Sequence, residues 1–438
     1  MSGSAGFVIA ATAGGYALMS RRLERTFVSA PMVFVAVGLA LGPLGFDFIS
    51  IAHETSGIRE LTESALALLL FTDALAIQAT ALRRDEFLPA RLLGAGLPLT
   101  IAFGWLLAWP LLPGLSRWDL ALAGVILAPT DAALGQPAIA NDAVPALVRE
   151  GLNVESGLND GMALPFFVIF LAAAAGHATA HSEASVFGRA LIASAAIGAL
   201  IGWGGGRLLT RSRAAGWSGP GWQQIFVIAV VVAAYCACLT LDGSGFIGAW
   251  VAGLAFGGSL RREPAPRQAD VRATGRLAEQ LADLLSSLSF FVFGAALLGP
   301  ALQHFAWHDL AYAAASLTVV RMLPVSLALL GSRLRPPTVG YIGWFGPRGL
   351  ASIVLGLLVL EEHIPGGLAL ANVVALTVGL SVLAHGITAT PLADRYARWY
   401  VAAAARTPRL RESAAVQTRE GHTSTEPHGG TRETPGTG

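Results

Sequence analysis

Lysine is absent from this 438-residue chain, and charged residues of either sign are scarce, at 13% of the total. A soluble domain carries about 25% charged and about 45–50% apolar residues. This chain is instead 54% hydrophobic, with a mean hydropathy of +0.60. The composition excludes a water-soluble fold, and we expect the lipid bilayer and no nucleic acid among the partners. The formal net charge of +1 says little by itself.

Cysteine is nearly absent as well, since the chain contains only Cys236 and Cys238. The two lie two residues apart in an apolar helix, so their side chains point in different directions and cannot form a normal disulfide. A disulfide framework is therefore excluded, and the two thiols are predicted to serve in helix packing.

Apolar runs recur along almost the whole chain, between short polar or arginine-bearing breaks. Because one crossing of a bilayer takes about 20 residues, we predict an all-α polytopic membrane protein with about 13 transmembrane helices in residues 1–400. The first run lacks the basic stretch of a signal peptide and is interpreted as the first spanning helix. The predicted spans are residues 5–20, 28–45, 60–82, 89–112, 118–140, 149–175, 186–209, 221–240, 243–258, 280–299, 307–332, 337–360 and 367–392.

Arginine is distributed unevenly between alternate loops. With the N-terminus outside, the inside loops carry most of the arginines and the outside loops only Arg59, Arg117 and Arg189. The positive-inside bias predicts a cell (inner) membrane protein with an outside N-terminus and a cytoplasmic C-terminus. Residues 401–438 have almost no large apolar side chains, so we predict a disordered cytoplasmic tail there.

Six charged residues lie deep inside the predicted spans, away from the span ends, and each costs about 2.5–3.5 kcal/mol at a helix centre. A buried acid can be neutral, paired with an arginine or bound to a cation, and a transport site switches among these states. Structural pairing remains the alternative for some of them. The six are Asp73, Asp131, Glu155, Asp160, Arg321 and Arg348.

The sixth span holds the densest polar cluster. On a helix, Glu155 and Asn159, like Ser156 and Asp160, lie four residues apart, so carboxylate, hydroxyl and amide oxygens share neighbouring flanks. Hard cations prefer such oxygen ligands. Burial favours the neutral carboxyl group, so Asp160 can take either a proton or a cation. Asp160 is the predicted carrier, with a structural acid as the alternative.

Two spans contain helix-breaking residues. The fifth has Pro129-Thr130-Asp131, followed by Gly135 and Pro137, and the twelfth has Gly346-Pro347-Arg348-Gly349. Because proline removes a backbone donor and clashes with the preceding turn, we predict broken helices with free carbonyls near Thr130. Interruptions at corresponding positions indicate two inverted six-helix repeats with crossed broken helices and a site at the midplane. Proline and glycine are nevertheless common in membrane helices generally.

Two further polar residues lie in apolar spans. Asp73 in the third span is interpreted as an additional ligand, as a group in the entry funnel, or as the partner of an arginine. His385 in the last span is predicted to be a hydrogen-bonded packing residue rather than a proton relay.

The chain resembles the sodium/proton antiporters of the NhaP/NHE type, in the monovalent cation:proton antiporter superfamily. Four motifs together carry the resemblance: Glu155-Ser156, Asn159-Asp160, Thr130-Asp131 and the glycine-flanked Pro347-Arg348. The resemblance covers roughly residues 5–395. It implies a transporter rather than an enzyme, without a cofactor. It also implies a homodimer, whose protomers interleave a dimerisation subdomain with a six-helix core that moves to give alternating access.

The resemblance also implies roles for individual residues. Asp160 would carry the cation or proton, Asp160 and Asp73 would be the carboxylate ligands of the monovalent cation, and Thr130 and Ser156 would complete the shell. The remaining implied roles are positioning by Asn159, a structural ion pair between Glu155 and Arg348, support of the helix crossing by Asp131, and a structural Arg321.

Two departures from the family pattern are visible. Thr130-Asp131 is preceded by Pro129 rather than followed by proline, and Asp73 stands where many relatives carry glutamate. Asn159-Asp160, rather than two adjacent aspartates, resembles the electroneutral branch, which exchanges one cation for one proton.

The predicted function is exchange of Na⁺ or K⁺ for H⁺ by competition of the two ions at Asp160. Selectivity for K⁺ is left open, because the sequence gives no cavity radius. Two alternatives belong to other classes. A gated cation channel would lack obligatory proton coupling, and an intramembrane aspartyl hydrolase would use Asp131 and Asp160 as acid and base.

Overall fold

The computed structural model describes residues 3–23, 26, 28–46, 55–77, 87–176, 181–261, 268–304, 306–407 and 410–413. Every extended regular element within these ranges is a helix, which confirms the predicted all-α class. The helices before the first interruption are α1 Gly3–Leu23, α2 Ala30–Leu41, α3 Thr55–Ala76, α4 Phe87–Leu111 and α5 Arg117–Ile126. Then follow α6 Ala132–Ala140, α7 Ala146–Ala174, α8 His181–Ala214, α9 Pro220–Leu239, α10 Gly245–Leu260 and α11 Gln268–Phe293, which continues through Gly294–Leu298 and Gly299–His304. The last are α12 Trp307–Leu317, α13 Val319–Ala328, α14 Pro336–Trp344, α15 Leu350–Glu361 and α16 Gly367–Arg406.

Local sequence determines where several helices begin. At the start of α5 the Ser116 side chain accepts from the Asp119 backbone N–H, and the Asp119 carboxylate accepts from the Ser116 N–H. This reciprocal capping box satisfies two donors that a helix start leaves free. Helices α9 and α14 begin with Pro220 and Pro336, whose missing N–H costs nothing in the first turn.

Seven helices of the described chain are long and apolar enough to span a membrane, and three shorter apolar helices accompany them. The protein is therefore a multi-pass membrane protein. The count of thirteen crossings and the inverted-repeat relationship stay predictions.

The helices pack in two bundles. In the first bundle, α3 packs against α10 and α11, and α8 packs along α10. The second bundle contains α4–α7 and α12–α16, with α5 against α4 and α7 and with α16 against α12 and α15. The bundles meet where α3 and α10 contact α7. The polar cluster predicted on the sixth span thus lies at the junction of the two bundles.

The observed helices extend past several predicted spans. Helix α11 begins twelve residues before the predicted start at residue 280, and α16 continues to Arg406 rather than to residue 392. Hydropathy detects only the apolar part of a helix, whereas a helix can continue through polar residues outside the apolar stretch.

The start of the predicted disordered tail is ordered. Glu412 is 1% exposed, and one of its carboxylate oxygens accepts from the Arg335 backbone N–H and from the Thr338 hydroxyl, both at 2.8 Å. The ordered chain therefore continues beyond the predicted boundary at residue 400. Residues 414–438 lie outside the described residues.

Candidate functional site

The fifth and twelfth predicted spans are both interrupted, and their interruptions meet. The first separates α5 from α6 over residues 127–131, and the second separates α14 from α15 over residues 345–349. Within them, the Asp131 backbone N–H donates to the Pro347 carbonyl at 2.8 Å. The two unwound segments therefore cross in contact, as the prolines predicted, although α6 continues without a second break through residue 137.

Asp131 caps two helices at this crossing. One carboxylate oxygen accepts from the Ala133 N–H at 2.8 Å, at the start of its own helix α6, and the other accepts from the Leu350 N–H at 3.0 Å, at the start of α15. A Cβ atom at Gly349 would overlap this carboxylate, so the close approach requires glycine. Both helix N-termini carry partial positive charge, which one acid here compensates.

Arg348 binds at the C-terminal end of a helix, whereas Asp131 binds at two N-terminal ends. Its guanidinium donates to the carbonyls of Ala128 and Pro129, at 3.0 and 3.2 Å, just past the C-terminus of α5. The unwound backbone leaves these carbonyls without helical partners, and the partial negative charge of the helix end attracts a cation. The side chain is fully buried, at 0% exposure.

The predicted ion pair between Glu155 and Arg348 was wrong. Glu155 pairs instead with Arg321 of α13, through two parallel hydrogen bonds of 2.6 and 2.9 Å between side chains that are each 3% exposed. Such a two-bond fork satisfies both carboxylate oxygens in the best geometry for this pair. Both arginines are buried and both could have neutralised Glu155, but the free carbonyls after α5 already hold Arg348.

Helix α7 holds the first interruption in place through Thr130. The Ser156 hydroxyl donates to the Thr130 carbonyl at 2.6 Å, and the Asn159 amide donates to the Thr130 hydroxyl at 2.6 Å. Beside these bonds, Oδ1 of Asp160 and Oδ1 of Asn159 are buried with no hydrogen-bond partner. The site therefore has an ordered frame and two oxygens that no protein donor uses.

Residues of the first bundle face Asp160 from across the junction. Asp73 of α3 packs against Gly157, with its Cβ 3.4 Å from where a Gly157 Cβ would lie. Trp250 of α10 covers Gly161 so closely that a Cβ there would overlap its indole ring. Asp73 and Asp131 both lie near enough to Asp160 to interact with it electrostatically.

A small cavity adjoins this frame between the crossing and α7. It has a volume of about 10 Å³, and its polar lining comes from Thr130, Asp131 and Ser156. That is about the least volume that can hold a single water. Neither Asp160 nor Asp73 lines this cavity.

The structure brings together five of the predicted site residues, namely Asp73, Thr130, Ser156, Asn159 and Asp160. Three neighbours were missed by the sequence reasoning. Trp250 gives no signal, because an aromatic residue in an apolar helix is ordinary. Asp283 of α11 did give a signal, since it is an acid near the start of a predicted span. Asp283 and Glu279, one turn before it, both interact electrostatically with Asp73.

The arrangement leaves two buried oxygens without a donor, Oδ1 of Asp160 and Oδ1 of Asn159. Among the described residues, no three His, Cys, Asp or Glu side chains converge as ligands of a metal ion. The oxygens near Asp160 come mostly from neutral amide, hydroxyl and carbonyl groups, so the site carries little negative charge beyond its carboxylates. A proton on the Asp160 carboxyl group would remove the charge that a cation needs.

Known proteins match this chain over most of its length. The family model for "Sodium/hydrogen exchanger, transmembrane" matches residues 7–395. The K(+)/H(+) antiporter NhaP2 of Shewanella oneidensis is 28% identical over 388 residues, which cover 86% of this chain and 64% of that protein. The K(+)/H(+) antiporter NhaP of Alkalimonas amylolytica is 25% identical over 379 residues, or 84% and 62% of the two chains. This chain thus spans slightly less than two thirds of the length of these relatives.

A solved structure shares the fold. The sodium proton antiporter MjNhaP1 from Methanocaldococcus jannaschii, at pH 8, aligns with a TM-score of 0.73 and 19% identity. The alignment covers 87% of this chain and 98% of that one. The match extends over both helix bundles.

Proposed function

This chain belongs to the sodium/hydrogen exchanger family, whose model covers residues 7–395, and we propose that it exchanges Na⁺ or K⁺ for H⁺ across the cell membrane. Membership of this family assigns the chain to the transporters rather than to the enzymes. The hydrolase alternative also has little geometric support, because both Asp131 carboxylate oxygens accept backbone hydrogen bonds and are not free for acid–base work.

One observation carries the proposal: Asp160 is 7% exposed, and its Oδ1 has no hydrogen-bond partner, beside a frame of hydroxyl and amide groups. Such an acid is stabilised either by a proton or by a cation. Since the two exclude each other at one carboxylate, binding of one releases the other. Alternating exposure of Asp160 to the two sides of the membrane then gives exchange.

In this proposal the other residues divide into ligands and frame. Asp73, Ser156 and Thr130 contribute oxygens to the cation beside Asp160, and Asn159 positions Thr130 through its amide. Asp131 and Arg348 stabilise the crossing at opposite helix ends, while Glu155 and Arg321 form a buried brace. Because a single carboxylate binds one cation or one proton at a time, we predict that one cation is exchanged for one proton, which is electroneutral.

Potassium is the second candidate cation, because two relatives carry the name K(+)/H(+) antiporter. An oxygen-lined site discriminates the two ions chiefly by size. Location in the inner membrane with an outside N-terminus, and assembly as a homodimer, are further parts of the proposal.

The test is proton movement in sealed proteoliposomes that contain a pH-sensitive dye, with the membrane potential clamped. Pulses of Na⁺ and K⁺ are compared between the wild-type protein and Asp160→Asn. Exchange in the wild type alone, with either cation, supports the proposal and identifies the ion. Cation flux without proton movement would indicate a channel, and absence of both fluxes would overturn the proposal.

A further inference from the structure

The interruption between α14 and α15, residues 345–349, is hydrogen-bonded at both of its ends to one face of α16. Ser381 and His385 are four residues apart on this helix and therefore lie on the same side of it. The Ser381 hydroxyl accepts from the Arg348 backbone N–H at 2.7 Å, at the end of the interruption. His385 Nε2 lies 3.0 Å from the Trp344 carbonyl, at its beginning.

Two neutral tautomers are open to His385, because Nδ1 lies 3.1 Å from the Ser381 carbonyl while Nε2 faces the Trp344 carbonyl. In the tautomer with the proton on Nε2, His385 donates to Trp344 and Nδ1 is left as an acceptor. The Ser381 hydroxyl lies 3.2 Å from Nδ1 and can donate to it while accepting from Arg348. A continuous chain of hydrogen bonds thus joins the two ends of the break, inside a region where both His385 and Ser381 are 0% exposed.

The fastened segment begins with a tight turn. Phe345 has φ −78° and ψ 72°, and the Gly346 N–H donates to the Trp344 carbonyl at 2.8 Å. These angles are those of an inverse γ-turn. The Trp344 carbonyl therefore has two donors, one that forms the turn and one, His385, that anchors the turn to α16.

The same segment reaches the candidate cation site in two steps. Pro347, in the middle of the break, accepts the backbone hydrogen bond from Asp131. Asp131 follows Thr130, whose carbonyl and hydroxyl bond the α7 residues next to Asp160. Movement of the break would therefore shift Thr130 relative to Asp160.

We propose that His385 and Ser381 are positioning residues, which fix the break between α14 and α15 and thereby the place of Thr130 beside Asp160, so that they set the affinity for the transported cation. The inference rests on the proposed function, since it assumes that the cation binds at Asp160. It assigns His385 an effect on binding that a packing residue would not have.

The experiment measures exchange rate against cation concentration in proteoliposomes loaded with equal amounts of folded protein. His385→Leu removes both hydrogen bonds and keeps an apolar group of similar size, whereas His385→Gln retains one donor and one acceptor. Thr388→Val is the matched control. Thr388 lies one turn further along α16 and also binds Trp344, but it accepts from the indole N–H, whereas His385 contacts the backbone carbonyl.

We expect His385→Leu to raise the apparent KM by about tenfold, which corresponds to about 1.4 kcal/mol, with a smaller change in kcat. His385→Gln and Thr388→Val should stay near the wild-type KM. If His385→Leu does not fold, Ser381→Ala replaces it and should raise KM in the same direction by a smaller factor.

An unchanged KM in His385→Leu, with only a lower yield of folded protein, would overturn the inference and leave a packing role. A glutamine variant as impaired as the leucine variant would also overturn it, because the hydrogen bonds would then not matter. Failure of the proposed function would differ from both, since the wild type itself would then show no cation-driven proton movement.

Discussion

Asp131 and Asp160 are two aspartates near the junction of the helix bundles, and they differ in how their oxygens are used. Both oxygens of Asp131 accept backbone N–H groups, from Ala133 and Leu350. Oδ1 of Asp160 is buried and accepts from no protein group. A carboxylate whose two oxygens both accept backbone N–H groups is committed to the fold, whereas Asp160 has an oxygen that can take another partner. Asp119 also has a buried Oδ1 without a partner, but its Oδ2 caps α5. Burial alone therefore does not identify a carrier.

The arginines show a related contrast. Arg321 forms a two-bond fork with Glu155, while Arg348 donates to carbonyls at a helix end. One charge is neutralised by a full opposite charge and the other by backbone dipoles. The following changes test these distinctions, beginning with the largest expected effect.

Asp160→Asn should reduce exchange to the background of empty liposomes, because asparagine can neither take up a proton nor supply a negative charge. Thermal stability should stay at the wild-type value or rise, since a buried unpaired acid is lost. Asp119→Asn is the matched control: Asp119 is also buried, at 3% exposure, but it caps α5. Normal exchange in Asp160→Asn would refute the assignment of the carrier.

Arg321→Met should lower the free energy of unfolding by about 3–5 kcal/mol, because it leaves Glu155 buried without its partner. Adding Glu155→Leu should recover most of this loss, since the pair is then replaced by apolar groups. Thermal melting of the purified protein measures both effects. Combining Glu155→Leu with Arg348→Met should give no such recovery, and a recovery there would restore the pairing that the sequence predicted.

Asp131→Ala should lower the free energy of unfolding by about 1–4 kcal/mol, as expected for the loss of two helix caps. Asp131→Asn keeps an acceptor for one of the two N–H groups and should lose less. The order alanine, asparagine, wild type in melting temperature checks the capping role. Equal stability of all three proteins would contradict it.

Glu412→Ala should have the smallest of these effects, about 1–2 kcal/mol, because it removes the acceptor for the Arg335 N–H at the start of α14. Glu412→Gln should be close to the wild type, since its side-chain carbonyl accepts the same bonds. Differential scanning fluorimetry of the full chain compares the two. If alanine and glutamine melt together at the wild-type temperature, the tail segment 410–413 does not stabilise the membrane domain.

The sequence was sufficient for features that depend on composition and on single breaks in a pattern. Apolar runs of spanning length predicted the helical membrane fold, and the prolines near Thr130 and Arg348 predicted both interruptions. The spacing on α7 predicted oxygens on neighbouring flanks; Ser156 and Asn159 both bind Thr130, whereas Glu155 pairs with Arg321. Each of these follows from local chemistry, in which a residue type acts on its own stretch of backbone.

Other features depend on which helices become neighbours, and the sequence could not supply them. Glu155 could pair with either buried arginine, and the choice of Arg321 required the position of α13 beside α7. Trp250 covers Asp160's helix from a distant part of the chain. The order of residues 410–413 depends on the start of α14, where the Arg335 N–H donates to the Glu412 carboxylate.

By itself, therefore, the sequence determined that this protein lies in a membrane, that its secondary structure is helical, and which residues are too polar for their surroundings. The tertiary structure alone decided which of those polar residues satisfy one another. The physical reason is that burying a charge has a cost wherever it occurs, which a sequence records, whereas relief of that cost depends on a partner within about 3 Å, which only packing can bring there.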